Sequence, residues 1–336
     1  MDYPVVQTGM GWVAGPSLVT GTAEAGGLGI LASATMTLDE MDSAVAEVQS
    51  RTDRPFGVNL RPDAADLDRR ADRLVEVGVR VASFAGPPPP RVVERLRDGG
   101  VLVMPTVGAR RHAEKMAELG ADAILCQGGE GGGHTGSVPT SLLLPQVLDA
   151  VDVPVVAAGG FHDGRGLAAA LAWGADAVAM GTRFLLTAES RVPDAVKAVY
   201  LGTPVTGTVV SSSIDGKPQR VIRTRLVDAL ESARATRLAR AAVNAWRFRG
   251  LAGMSVPAML REGLAMRRAQ ELTWSQMAMA ANAPMLTRAT MVDGDIDAGV
   301  LPAGQCVGVV DDLPTCAELV ERIVAEAIAA LDRVAA

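Results

Sequence analysis

One histidine stands in a stretch almost stripped of other side chains. CQGGEGGGHTGS, Cys126 to Ser137, carries six glycines among its twelve residues, and His134 is its only imidazole. A titratable ring above bare backbone could exchange a proton with a flat ligand lying close to that backbone. The competing reading is a flexible loop with a solvated histidine. A further glycine pair lies in AAGGFHDGRG (157–166) and a single glycine in AMGTRF (179–184). Their Gly159, Gly160, Gly181 and Thr182 offer backbone N–H groups and a hydroxyl, the donors a phosphate takes. Tight turns would use the same glycines. QTGMGWVAG (7–15) adds Gly9 and Gly11 for close backbone approach, with Met10 as a soft apolar contact for an aromatic ring. Asn59, closing FGVNL, has an amide that can read a heterocycle edge by donating and accepting, or can cap a strand end.

These residues need a frame that gathers them. Short apolar runs recur at 4–7, 28–32, 56–60, 79–85, 101–107, 121–127, 153–159 and 175–181. They are apolar throughout rather than alternating, the pattern of parallel strands covered on both faces. Helical segments separate them: Asp39–Gln49, Ala65–Val77, Arg91–Asp98, Arg110–Leu119, Ser141–Ala150 and Gly166–Trp173. Gly78, Gly99, Gly120 and Gly174 follow four of these as candidate left-handed C-caps. Leu-Gly-Ala-Asp-Ala at 119–123 nearly recurs as Trp-Gly-Ala-Asp-Ala at 173–177, so two consecutive units start alike.

Eight such units predict an α/β chain folded as a (β/α)8 TIM barrel, with a doubly wound open sheet as the alternative. On the barrel reading the glycine stretches leave strands one, six, seven and eight on the face where such barrels carry their chemistry. The division expected is a barrel over 1–190, a mainly helical insertion after strand 8 over 191–303, and a return segment with the last barrel helix over 304–336. AELVERIVAEAIAALDRVAA (317–336) supplies that helix, and seven of the fourteen methionines fall between Met254 and Met291. Those Met-rich helices are either ordinary core or a pliable apolar lid. AEAGGLGIL (23–31) runs helix, glycines, strand, which is the reverse of a dinucleotide fingerprint and reads as a helix stop.

Composition narrows the function. A net charge of −6 argues against nucleic acid or an anionic membrane surface as partner. The three cysteines, Cys126, Cys306 and Cys316, make no C-x-x-C pair and point to a reducing compartment. No basic start with an apolar core opens the chain and no long apolar run follows, so a soluble cytoplasmic protein is expected. No metal-ligand spacing, G-x-S-x-G or Walker loop is present. His112 reads as a solvated helix residue and His162 as a turn or cap residue. Against the acidic background, residues 217–249 hold nine basic and two acidic side chains. Arg220, Arg223 and Arg225 lead this segment, and Arg234, Arg237 and Arg240 follow at helical spacing. Guanidinium groups suit the phosphates of a large anionic substrate, though a solvated helix face would look the same. Apolar helices outside the barrel would also suit a homodimer.

Six ordered motifs carry a resemblance. PVVQTGMGWVAG, AEAGGLGIL, PFGVN, CQGGEGGGHTG, VPVVAAGGFHDG and AVAMGTRFLLTAES are similar to the nitronate monooxygenase-like flavoproteins, as is the closing GQCVGVVDDLPTCAELVERIVAEA. That family includes nitronate monooxygenases, an NADH:quinone reductase and FMN-dependent enoyl-thioester reductases. The resemblance implies an FMN-binding barrel with a small added domain. It implies that the Gly9–Met10 backbone and Asn59 meet the isoalloxazine and that Gln127 hydrogen-bonds it. Gly159, Gly160, Gly181 and Thr182 would hold the phosphate, and His134 takes the place of the active-site histidine. Many members read Gln-Ala-Pro-Met after the first strand. Here Gln7-Thr8-Gly9-Met10 followed by Trp12 looks more like the enoyl-reductase branch. Gly131 stands where members often have alanine. The insertion resembles actinobacterial members that handle CoA thioesters from steroid-ring breakdown. The function implied is reduction of an α,β-unsaturated acyl thioester, a CoA ester, with NADH or NADPH as co-substrate. Trp12, Arg220 and Arg223 are assigned to the substrate. Nitronate oxidation, quinone reduction and a flavin-free phosphate-site barrel are the alternatives.

Overall fold

The computed structural model describes residues 1–232 and 284–336. Eight parallel strands close into a barrel: β1 (Val5–Gln7), β2 (Leu28–Ala32), β3 (Gly57–Leu60), β4 (Val81–Phe84), β5 (Leu102–Val107), β6 (Ile124–Gln127), β8 (Val155–Ala158) and β9 (Ala177–Met180). β1 pairs with both β2 and β9, which shuts the cylinder and removes its edges. The open-sheet alternative is thereby excluded. Most strand residues are buried on both faces, as their unbroken apolar character required. Val6, Ile30, Met104, Leu125, Val156, Ala158, Ala177 and Ala179 fill the barrel interior. Their neighbours in sequence, such as Val5, Leu31 and Val155, pack outward against the helices.

Helices α1 (Pro16–Glu24), α2 (Leu38–Arg51), α3 (Leu67–Glu76), α4 (Pro90–Asp98), α5 (Arg110–Glu118), α6 (Thr140–Leu148) and α7 (Gly164–Trp173) form the outer ring. Their ends obey local chemistry. Thr37 and Glu40 make a reciprocal capping box on α2, and Asp163 accepts from Gly166 N to start α7. Of the four glycines expected to be left-handed, Gly78, Gly120 and Gly174 are. Gly99 is not: its φ is −82°, and Gly100 takes the left-handed position one residue later. The repeated Gly-Ala-Asp-Ala has a shared task. Asp122 accepts from Val103 N on the preceding strand, and Asp176 accepts from Val155 N in the same way, both at 2.8 Å.

The ring closes with the C-terminal helix, here α11 (Cys316–Ala335), capped by a second box from Thr315 and Glu318. It lies against α7 so tightly that a Cβ built on Gly164 would stand 2.2 Å from Ile323 O and 2.4 Å from Glu326 Cβ. Gly164→Ala should therefore lower stability by about 1–3 kcal/mol through overpacking, read as a lower urea midpoint at unchanged slope. A midpoint equal to wild type would mean that this helix pair is not tightly docked.

After β9 come a short helix, α8 (Thr182–Leu185), then α9 (Asp194–Leu201), a hairpin of β10 (Thr208–Ser211) and β11 (Gln219–Ile222), and α10 (Arg225–Ser232). A helical stretch at 284–291 and a 3-10 turn at Gln305–Val309 precede α11. The helical reading of this segment did not foresee the hairpin. Its outer neighbour is a two-residue strand, β7 (Gly133–His134), lifted out of the glycine stretch after β6; the sheet order is β10-β11-β7. Arg234, Arg237, Arg240 and most of the Met-rich segment lie outside the described residues. Among those described, no helix is long and apolar enough to cross a membrane.

Candidate active site

The eight strands point their C-terminal ends the same way, and the loops leaving them build one mouth. Gly9 sits so close to β3 that an added Cβ would stand 2.5 Å from Asn59 Cβ. Asn59 is buried, and its Nδ2 donates to Ser83 Oγ at 3.0 Å, which fixes the amide by one end. A Cβ on Gly181 would meet Thr8 Oγ1 at 3.3 Å and Met10 Sδ at 3.4 Å. Gly9, Met10, Asn59 and Gly181 are thus linked across three strand ends.

The loops after β8 and β9 form a second patch beside it. Gly159 and Gly160 have φ of +101° and +87°, a region that side chains other than glycine rarely enter. A Cβ on Gly159 would lie 2.9 Å from both Gly128 O and Thr140 Oγ1. One on Gly160 would lie 3.3 Å from Glu130 Cβ. Thr182 Oγ1 accepts from Gly304 N at 2.8 Å, so its own proton is left to donate. Glu130 is engaged within the loop: its carboxylate accepts from the backbone N–H of Thr140 at 2.9 Å and from the hydroxyl at 2.8 Å. Neither Glu130 nor Thr140 was singled out by motif, because their pairing joins a loop to a helix start ten residues on.

Four of the six glycines around His134 have specific packing or backbone tasks. Gly128 packs on Thr140, where a Cβ would come within 2.0 Å of Oγ1. A Cβ on Gly131 would stand 2.7 Å from Gln127 Nε2, so alanine there would push Gln127. A Cβ on Gly132 would stand 2.6 Å from Gly304 N and 2.7 Å from Ala303 C, where the return segment begins. Gly133 takes φ +69° at the start of β7. The loop is pressed into the protein from three sides and presents its one ring at the top.

That ring is held. His134 Nε2 lies 2.5 Å from Asp215 Oδ2 in the turn of the β10–β11 hairpin. His134 pairs with Gln219 in the β7–β11 ladder, Gln127 Nε2 donates to His134 O at 2.8 Å, and Thr135 N donates to Pro218 O at 3.2 Å. The imidazole is 59% exposed while the Asp215 carboxylate is 7% exposed. Burial pulls the Asp215 pKa upward, but the His134 hydrogen bond and charge and the Lys217 amide outweigh it and hold the carboxyl below its ordinary range. Cys126, at the end of β6, has its thiol pushed up to about 12 by burial and is no nucleophile at neutral pH.

The residues assigned to the substrate divide. Arg220 reaches the mouth loop, but its Nε and Nη2 donate to Gly129 O at 3.1 and 2.9 Å and its Nη1 to Thr208 Oγ1 at 3.0 Å. Burial lowers its pKa, and Glu130 works the other way. Arg223 stands apart: it is exposed, pairs with Asp228 at 2.8 Å, and lines a separate open groove of about 500 Å³ with Thr203, Pro204 and Thr224. Trp12 is the one non-glycine residue with positive φ, +66°, among those described. Its indole N–H donates to Pro284 O at 3.0 Å and the Arg288 guanidinium lies 5.6 Å from its ring centre, which ties the β1 loop to the helical stretch at 284–291. His112 is an exposed helix residue. His162 rests a ring nitrogen on Gly160 O at 3.3 Å, beside the cap of α7.

A closed (β/α)8 barrel with glycine-lined turns after its last two strands carries a histidine–carboxylate pair on the loops at its mouth. The nitronate monooxygenase family model matches residues 1–76 and 63–326, and the chain belongs to that family of oxidoreductases. Two relatives, from Mycobacterium tuberculosis and Rhodococcus jostii, are 58% and 57% identical over the whole chain and 96% of their own lengths. Both are (3aS,4S,5R,7aS)-5-hydroxy-7a-methyl-1-oxo-octahydro-1H-indene-4-carboxyl-CoA dehydrogenases. Among solved structures, FabK from Thermotoga maritima is 31% identical with a TM-score of 0.82, covering 99% of this chain and 95% of that one. A nitroalkane oxidase from Streptomyces ansochromogenes is 30% identical with a TM-score of 0.77, covering 99% and 97%.

Proposed function

We propose that this protein is an FMN-dependent acyl-CoA oxidoreductase that introduces a Cα–Cβ double bond into the CoA thioester of a bicyclic, hydrogenated-indene carboxylic acid. The full-length likeness to two CoA-ester dehydrogenases supports the substrate class. It also moves the weight from the reductive direction, read from sequence with NADH or NADPH as donor, to dehydrogenation. Both directions use the same groups in reverse.

The observation that carries the reading is the His134–Asp215 pair standing over a glycine-lined mouth. A thioester acidifies its α C–H, and a neutral imidazole can take that proton in the transition state. FMN, when bound, supplies the acceptor for the hydride that leaves Cβ. The residues present fit that group. The left-handed glycines at 159 and 160, with Gly181 and the free hydroxyl proton of Thr182, make a phosphate-sized cradle that a Cβ would fill. The Gly9–Met10 backbone, Asn59 and Gln127 offer close approach and amide edges to a planar ring. Trp12 would form the wall beside the acyl group. The CoA phosphates would pass toward Arg223, whose groove lies just past β11 in the chain.

Anaerobic mixing of the FMN-loaded protein with the hydrindane CoA ester should bleach the flavin's visible absorbance and yield the α,β-enoyl ester by mass spectrometry. A ring ketone formed from a substrate hydroxyl, with the Cα–Cβ bond intact, would sink the assignment. Propionate 3-nitronate with oxygen is the control for the family's named activity, and oxygen consumption there without any reaction of CoA esters would replace it.

A further inference from the structure

We propose that Asp215 is the positioning residue of the His134 ring: it takes the Nε2 proton in a hydrogen bond, fixes one tautomer, and leaves Nδ1 as the nitrogen that exchanges a proton with substrate. This rests on the reading of His134 as the proton-exchanging group. It assigns a role to the hairpin after β9, which no motif in the chain announces.

Geometry carries it. The contact of 2.5 Å joins an exposed ring to a carboxylate that is almost fully buried. The second carboxylate oxygen is used by Lys217 N at 3.0 Å, so the group cannot turn away without losing that bond. A neutral ring beside an ionised carboxylate donates to it, which places its proton on Nε2. Nδ1 has no partner among the described residues. The ring's backbone and its carboxylate partner also travel together. β7 and the turn holding Asp215 belong to one small sheet, and Gln127 fixes the far side of the His134 peptide.

Competing charges point elsewhere. On the hairpin, Arg220 is spent on Gly129 O and Thr208, and the Lys217 side chain lies in the field of Asp63 on the loop after β3. On the glycine loop, Glu130 is spent on Thr140. Asp215 is therefore the anionic group that faces the ring among the described residues. The arrangement resembles a carboxylate–histidine pair in which the acid orients rather than exchanges the proton.

The test compares wild type with Asp215→Asn and Asp215→Glu. The chain has three histidines, His112, His134 and His162, so nitrogen-15 imidazole spectra can be assigned by removing the other two. In wild type, without any substrate, neutral His134 should carry its proton on Nε2. In Asp215→Asn a substantial Nδ1–H population should appear, because a side-chain amide can also donate to Nε2. Turnover of the CoA ester should then fall about tenfold to a hundredfold in kcat, with KM and FMN binding little changed. Asp215→Glu should recover part of both. A wild-type ring protonated on Nδ1, or an Asp215→Asn protein with the wild-type tautomer and undiminished kcat, would overturn the proposal. Should no CoA ester react while the tautomer result holds, the function reading falls and the orienting role stands.

Discussion

His134→Ala should lower kcat/KM for the CoA ester by about 10²- to 10⁴-fold, the span that a single general base contributes. The loss should fall on the bond-breaking step. The ring is 59% exposed and its removal deletes little packing, but it leaves the buried Asp215 carboxylate without its partner, so the unfolding midpoint should fall, and by less in His134→Gln than in His134→Ala. Its backbone bonds to Gln219 and Gln127 do not depend on the side chain, and the loop should keep its path. FMN affinity should likewise hold, because the phosphate cradle proposed for it lies on the loops after β8 and β9. Stopped-flow bleaching with substrate measures the effect directly. Exposing the reaction to imidazole in solution should restore part of the rate in the vacated space. A drop smaller than about tenfold would mean that another group takes the proton, and the mouth offers few: Cys126 is held protonated with its pKa pushed up to about 12, and Glu130 is engaged by Thr140. Removing the ring also exposes Asp215 as a carboxylate without its partner. His134→Gln, which can still donate to Asp215, separates that electrostatic effect from loss of the base.

How much of the fold and the site is legible in the amino-acid sequence depends on the range of each interaction. The strands are readable because burial on both faces leaves an unbroken apolar run, and β2 spans the very residues its run marks out, Leu28–Ala32. Loop glycines at strand ends are readable as places where a side chain is excluded. What excludes it is not. Gly132 is glycine because Ala303 and Gly304 lie against it, and nothing near either segment announces the other. Asp215 escapes notice for the same reason. It lies 81 residues from His134 in SSSIDGKPQ, which reads as an ordinary turn, and only the closing of β10 on β11 aims it at the ring. Charge is visible in Arg220, but its partner is not. A guanidinium expected on a phosphate spends three nitrogens on Gly129 and Thr208. Trp12 stands out as a departure in the first loop, while its left-handed backbone and its bond to Pro284 are products of the assembled mouth.

Gly159→Ala should damage the mouth through both backbone strain and overpacking. At φ +101° an alanine is strained whatever the space around it, which costs about 1–3 kcal/mol. Here there is no space either: the new Cβ would lie 2.9 Å from Gly128 O and from Thr140 Oγ1. Thr140 cannot retreat freely, because Glu130 and the carbonyl of Gly159 both hold its hydroxyl. The loop after β6 would have to move instead, and that loop carries His134. We therefore expect a stability loss of about 2–4 kcal/mol, the strain and the overpacking together, with FMN affinity at least tenfold weaker. Urea unfolding of the apoprotein and a fluorescence titration with FMN measure the two separately. Gly78→Ala is the matched control. Its φ is also left-handed, +71°, but nothing lies within 4 Å of the added Cβ, and it sits at the other end of the barrel after α3. It should lose only the backbone term, about 1–2 kcal/mol, and bind FMN as wild type does. Equal effects of the two substitutions on FMN binding would show that Gly159 is a turn residue like any other and that the cofactor's phosphate lies elsewhere.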